Sequence, residues 1–211
     1  RFNYNMAVII LDLGGVLMLH NMPLCMQRLE NIMGKHNMEK VLGLSNNGEG
    51  IEHSLMEQYE AGQVSTDYFI ENILQLAQSD KTREDVINAW NAMHDHIPQY
   101  RIDILHEWKK QGHHLFMLSN NNELHWQHIK EHYALQELFE HAFASHLLHV
   151  SKPNPAIYHI VDQYIRARYP NEGPFIFVDD IAINRKAGES FGWKTYADIE
   201  TLYQELSQYN S

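Results

Sequence analysis

Three short apolar runs along the chain each stop at a polar residue. Val8-Ile9-Ile10-Leu11 ends at Asp12, Leu115-Phe116-Met117-Leu118 at Ser119, and Phe175-Ile176-Phe177-Val178 at Asp179. Unbroken apolar tetrads predict strands buried on both faces, and such strands belong to parallel sheets covered by helices. Ligands of an open α/β sheet bind beyond the carboxyl ends of its strands. Asp12, Ser119 and the pair Asp179-Asp180 are therefore expected to converge on one small site, although they lie far apart in the chain. Two acidic strand ends facing a hydroxyl strand end suggest a metal beside a phosphate.

Between Leu11 and Leu115 the chain is too long for one crossover, since a whole strand–helix–strand unit takes about 30 residues. That stretch carries helical stripes: Cys25, Leu29, Ile32 and Met33; Phe69, Ile73, Leu76 and Ala77; Val86, Ala89, Trp90 and Met93. Ser65-Thr66-Asp67 offers a helix start, and Gly43 to Gly50, with Ser45-Asn46-Asn47, marks a loop. After Pro98 the pattern alternates regularly. Helices are expected near 99–110, 124–133, 154–168 and 184–191, with a last one at the end. Strands are expected at 114–119, near 142–145, at 174–179 and at 194–197. The predicted fold is a doubly wound parallel α/β sheet, a Rossmann-like core of residues 1–20 and 96–211, with a helical cap domain of residues 21–95 inserted after the first strand.

Composition narrows the partners. The 211 residues are 44% apolar and 20% charged, as in a soluble globular protein, and carry a formal net charge of −11. That acidity argues against nucleic acid or an anionic membrane as partner. The single cysteine, Cys25, excludes an intrachain disulfide and suits a reducing compartment. No run approaches the roughly 18 apolar residues of a membrane-spanning helix, and no signal sequence is read at the start, so a cytoplasmic protein is expected. Among fifteen histidines, His125, His128 and His132 share one helical face. No cysteine or carboxylate completes a zinc set there. The expectation is a solvated face whose imidazoles titrate between about pH 7 and 5.5.

The strand ends carry the chemistry. A carboxylate approaching a phosphate dianion meets repulsion of roughly 4 kcal/mol per charge pair at 4 Å and an effective dielectric near 20. A divalent metal held by hard oxygens, a lysine point charge and backbone N–H groups would relieve it. Asp12, Asp179-Asp180, Ser119-Asn120 and Lys152 supply those parts. Four segments in order then resemble the haloacid dehalogenase-like hydrolases: Ile9-Ile10-Leu11-Asp12-Leu13-Gly14-Gly15-Val16-Leu17; Leu118-Ser119-Asn120; Lys152-Pro153 leading to Tyr158; and Phe177-Val178-Asp179-Asp180 through Asn184 to Ala187 and Gly192. Tyr59-Glu60-Ala61-Gly62-Gln63-Val64-Ser65 is similar to the hairpin of the helical cap in the subgroup with its insertion after the first motif. The sugar-1-phosphate phosphatases and the phosphatase domain of soluble epoxide hydrolases are the members it resembles most.

The resemblance implies a magnesium-dependent phosphatase acting on a small phosphorylated molecule. Asp12 would be the nucleophile and a magnesium ligand, with the Gly14 carbonyl and Asp180 as direct ligands and Asp179 acting through a water. The Ser119 hydroxyl, nearby N–H groups and the Asn120 amide would hold the phosphoryl oxygens. Lys152 would neutralise charge, and Asn184 would orient Lys152 or the acidic pair. One position departs from the family pattern: Gly14 stands where a second aspartate usually serves as general acid and base, assistance worth about 10²–10⁴ in rate. His20 or a residue of the cap is left to take over. The alternatives are a 2-haloacid dehalogenase, whose relatives lack the acidic pair, and a catalytically weakened phosphate-binding or scaffold protein. Met22, Cys25, Tyr59 and Trp90 are the candidates for contacts to the leaving group. The connections at 20–23 and 94–98 are expected to act as hinges of a moving cap, and oligomeric state is left open.

Overall fold

The apolar tetrads form the middle of one parallel sheet. In the computed structural model, which describes residues 6–44 and 53–209, strands β1 (Val8–Leu11), β2 (His114–Ser119), β3 (His141–Ala144), β4 (Phe175–Val178) and β5 (Lys194–Tyr196) stand in the order β3-β2-β1-β4-β5. Period-two alternation divides their side chains between two helical layers. Ile9, Leu11, Leu115, Met117, Ile176 and Val178 pack with α6 (Gln99–Lys110) and α11 (Ile199–Tyr209). Val8, Ile10, Phe116, Leu118 and Phe177 pack instead on Ile157, Tyr158, Val161 and Ile165 of α9 (Pro155–Arg168). Each such burial is worth roughly 1.5–3 kcal/mol. Leu11 lies opposite both Met117 and Val178. That register brings Asp12 and Asp179 off adjacent strands at one level, at the β1–β4 boundary where the strand order reverses.

The stretch between β1 and β2 is helical: α1 (Met22–Met33), α2 (Lys35–Val41), α3 (Leu55–Glu60), α4 (Thr66–Gln75) and α5 (Arg83–Asn91). The expected loop at 43–50 lies, from Ser45 on, outside the described residues. Side-chain caps start four of these helices, with Asn21 accepting the Leu24 N–H before α1. Ser65 accepts the Tyr68 N–H, and Ser54 with Glu57 and Thr82 with Asp85 form capping boxes, each cap being worth about 1 kcal/mol. The helices share a separate core of Cys25, Leu29, Phe69, Ile73 and Trp90. Leu76 does not join it as its stripe suggested. Helix α4 stops at Gln75, which leaves Leu76 at the C-cap and 37% exposed, and Ile70 fills the core instead.

One helix is unexpected, and one further expectation is corrected. A short helix, α8 (Ser145–Leu148), follows β3 directly. On α7 (Glu123–His132), His125 is buried rather than solvated. It stacks on Trp90 with ring centroids 5.0 Å apart and bonds through Nε2 to the Trp90 carbonyl at 3.0 Å. Helix α5 covers that face of α7, a pairing between distant segments. Burial then pushes His125 down to about 3 and His94 down to about 2, so neither titrates between pH 7 and 5.5.

The helical segment is tied to the sheet at several points. Its two connections bond to each other, with N–H to carbonyl distances of 2.9 Å from Leu19 to His96, 2.7 Å from Asn21 to Met93 and 2.9 Å from Asp95 to Leu19. The Tyr59 hydroxyl accepts the Leu124 N–H at 3.1 Å, the Ser145 hydroxyl donates to the Glu60 carbonyl at 2.5 Å, and the Trp90 indole donates to Asn122 at 3.2 Å. At Gly62, φ is 64° and a Cβ would lie 2.3 Å from the His146 carbonyl oxygen, so the turn needs glycine. No helix among the described residues is long and apolar enough to cross a membrane. Gly62→Ala should cost about 2 kcal/mol or more, from left-handed strain and backbone displacement together. Urea denaturation measures it, and a loss below about 0.5 kcal/mol would mean that this contact does not constrain the hairpin.

Candidate active site

A cavity of about 250 Å³ lies where the strand ends meet the helical segment, and Asp12, Ser119, Lys152 and Asp180 all line it. The Lys152 ammonium is its fixed point. Its three donors go to Asp12 Oδ2 at 2.9 Å, Asp179 Oδ2 at 2.5 Å and the Leu118 carbonyl at 3.0 Å. Burial alone would lower the Lys152 pKa, but the two carboxylates outweigh it and raise it. In Asp12 burial outweighs charge instead. Burial pushes it up to about 7, more than Lys152 lowers it, and Asp179 adds to the rise.

The acidic pair divides its work. Asp179 is fully buried and saturated, because besides Lys152 it accepts the Ile181 N–H at 2.9 Å and the Asn184 amide at 3.1 Å to each oxygen. Asn184 thus holds Asp179, while Tyr158 donates its hydroxyl to the Asn184 carbonyl. The Asp180 carboxylate is exposed and has no hydrogen bond or ion pair among the described residues. It packs against Gly15, where φ is 74° and a Cβ would lie 2.3 Å from Asp180 Oδ2. Oxygens of Asp12, Asp179 and Asp180 all lie within 4.8 Å of one another. The Gly14 carbonyl, in addition, accepts no backbone hydrogen bond among the described residues. This all-oxygen, net-anionic donor set fits a hard divalent cation such as magnesium.

One side chain behaves differently from expectation. The Asn120 amide, expected on the phosphoryl oxygens, is engaged on the backbone of Lys152. Its oxygen accepts the Lys152 N–H at 2.8 Å and its nitrogen donates to the Lys152 carbonyl at 3.0 Å. Asn120 is therefore a positioning residue, and what it offers an anion is its backbone N–H, which with that of Gly14 has no partner among the described residues. At Gly14, a Cβ would lie 2.2 Å from Cε1 and 2.4 Å from Nε2 of His20, so the imidazole fills the space a side chain there would need. Partial burial lowers the His20 pKa, against the pull of Asp180.

Of the residues proposed for the leaving group, only Met22 lines the cavity. Cys25 and Trp90 face the helical core, as does the Tyr59 ring, whose hydroxyl is tied to Thr66 and Leu124. Burial also pushes the Cys25 thiol up to about 12, which makes it inert. Sequence reasoning missed Glu60, Met56, Met93, His94 and His125, which line the cavity from the helical segment, its connection and α7. A usable signal existed for Glu60 alone, since it sits next to Tyr59 in the Tyr59–Ser65 segment already singled out.

A family model described as a haloacid dehalogenase-like hydrolase matches residues 6–192. A D-ribitol-5-phosphate phosphatase of Bacteroides thetaiotaomicron is 24% identical over 148 residues, 67% of this chain and 70% of that protein. A HAD family enzyme from the same organism, solved with magnesium and inorganic phosphate, superposes with a TM-score of 0.75 at 25% identity, covering 90% of this chain and 93% of its own. A HAD-like family hydrolase of Porphyromonas gingivalis gives 0.76 at 22% identity, covering 95% and 98%.

The raised Asp12 pKa has a consequence for cation binding. A carboxyl group raised from 3.8 to about 7 on folding contributes stability that is complete below about pH 4 and lost as pH rises through 7. A cation needs the ionised form, so the gain in melting temperature on adding magnesium should grow as pH rises from about 5.5 to 8. At a hundredfold excess over Kd, the gain at the alkaline end corresponds to about 2.7 kcal/mol. Thermal scans with and without magnesium across that range give the answer, and a shift independent of pH would place the cation away from Asp12.

Proposed function

The chain belongs to the haloacid dehalogenase-like hydrolases, and from that premise we propose a magnesium-dependent phosphatase that cleaves a small phosphomonoester through an aspartyl-phosphate on Asp12. One observation carries this reading: a buried ammonium holds Asp12 beside a carboxylate, Asp180, that makes no hydrogen bond or ion pair among the described residues. Asp12, the Gly14 carbonyl and Asp180 would hold magnesium directly. Asp179, expected to act through a water, has both oxygens engaged by Lys152, Ile181 and Asn184 and would act by fixing the lysine. When bound, the ion supplies positive charge that offsets the meeting of two anions.

The residues of the chain do the rest. Lys152 cancels charge on Asp12 and on the incoming phosphate, and fixes the attacking oxygen. The Ser119 hydroxyl and the backbone N–H groups of Gly14 and Asn120 hold the phosphoryl oxygens. Residues 21–95 act as a cap over a core of 1–20 and 96–211, and they exclude water from the cavity between them. The cavity volume and its uncharged lining by Met22, Met56 and Met93 suit a small alcohol, and the similarity to a D-ribitol-5-phosphate phosphatase supports a sugar or polyol phosphate. A cytoplasmic setting completes the reading. The dehalogenase alternative leaves Asp180 without a role.

Assay of a phosphomonoester panel with and without magnesium tests the reading. Asp12→Asn should cut turnover by more than about 10³-fold, since the amide is a poor nucleophile. Lys152→Ala should be nearly as damaging, and should also cost about 3–5 kcal/mol of stability by leaving buried carboxylates unpaired. Turnover by Asp12→Asn within tenfold of the parent would reject the aspartyl-phosphate route.

A further inference from the structure

A phosphatase of this design needs a proton donor. An alkoxide is a poor leaving group, and nothing at position 14 can protonate it. Lys152 has its three donors engaged, and Asp179 is saturated. On the last residue of α3, within electrostatic reach of Asp12, stands Glu60. It lines the same cavity, and its carboxylate makes no hydrogen bond or ion pair among the described residues.

The backbone around it is held rigidly. The Ser145 hydroxyl bonds to the Glu60 carbonyl at 2.5 Å, His149 Nδ1 lies 3.1 Å from the Gly62 carbonyl, and Gly62 closes against His146. A carboxyl group on a backbone held in this way, with no partner among the described residues, is placed to meet a ligand hydroxyl. Resting on the phosphatase reading, we propose that Glu60 is the general acid and base of the reaction, delivered to the site by the helical segment.

The proton balance closes. As an oxygen of Asp12 attacks phosphorus, the bond from phosphorus to the ester oxygen breaks. Its electron pair stays on that oxygen, which takes the Glu60 proton and leaves as the alcohol. Water then attacks the aspartyl-phosphate and gives a proton to the Glu60 carboxylate. The bond from phosphorus to Asp12 breaks, its pair returns to Asp12, and phosphate departs with Glu60 protonated as at the start.

Electrostatics suit the role. Burial pushes Glu60 up to about 7, helped by the negative charges of Asp12 and Glu57 and opposed by Lys152. The other titratable groups around the cavity are His20 and His94 on the connections, His125 on α7 and Asp180 after β4. Burial lowers all three imidazoles, which keeps them poor acids at neutral pH. A general acid and base works best with its pKa near the operating pH.

The test compares kcat/KM for p-nitrophenyl phosphate, whose leaving group departs as a stable anion, with that for alkyl and polyol phosphates, with magnesium present. Glu60→Gln should lower the alkyl rates by about 10²–10⁴ and the aryl rate at least tenfold less. Glu60→Ala, which keeps the hairpin's backbone bonds, should show the same divergence. A second readout is independent of turnover: a carboxyl group raised from 4.5 to about 7 is destabilising above pH 7, so Glu60→Gln should melt higher than the parent at pH 8 and not at pH 4. Equal losses on both ester classes would overturn the assignment while leaving the phosphatase reading intact. Divergence in His20→Asn but not in Glu60→Gln would overturn it in favour of the imidazole. A wild-type protein without magnesium-dependent turnover of any ester would contradict the phosphatase reading, and this inference with it.

Discussion

A buried ammonium with three donors requires three acceptors, and the strand ends of this fold are arranged around that requirement. Lys152 reaches Asp12 after β1, the Leu118 carbonyl in β2 and Asp179 after β4, so one side chain ties together the three central strands at their functional ends. Removing a single acceptor would strand a charge in a region of low dielectric. Neighbouring polar groups reinforce the arrangement. Asn120 clasps the Lys152 backbone from both sides, and Asn184, itself held through Tyr158, locks Asp179.

The same arrangement leaves the site incomplete. Three carboxylates within 4.8 Å of one another face one ammonium, and burial, with the charge of Asp179 adding to it, lifts Asp12 towards neutrality. The Asp180 carboxylate makes no hydrogen bond or ion pair among the described residues, and Gly15 lets it approach. Such a site is poised for a cation and an anion together, because each lowers the cost of the other. The helical segment adds what the sheet lacks: a wall over the cavity and a half-buried carboxyl group, Glu60, that lines it together with Asp12. Since the two connections bond to each other and the Tyr59–Gly62 hairpin is tied to α7 and α8, that wall is part of the site's geometry as it stands.

Much of this was legible in the sequence because a strand buried on both faces leaves an unmistakable apolar run. Asp12, Ser119 and Asp179 could be placed at one edge on that ground, and the helical stripes located the insert. What stayed hidden depends on pairings between distant segments. His125 looks solvated on α7 until α5 is packed over it, and Asn120 looks free until the Lys152 loop arrives. Tyr59 and Glu60 are neighbours, yet one turns into the helical core and the other towards the cavity. A stripe identifies the buried face of a helix, but not which residue at its end meets another layer. The same limit applies at Gly14, where only the folded chain reveals His20 in the space a side chain would take.

The central claim is that Asp12, held by Lys152, becomes covalently phosphorylated. Acid quench during turnover of a phosphomonoester with magnesium, followed by peptide mapping by mass spectrometry, tests it directly. One phosphoryl group on the peptide containing Asp12, lost when the substrate is exhausted, is the result the account predicts. Active turnover with no phosphoryl group on Asp12, or with one carried by another residue, would contradict it.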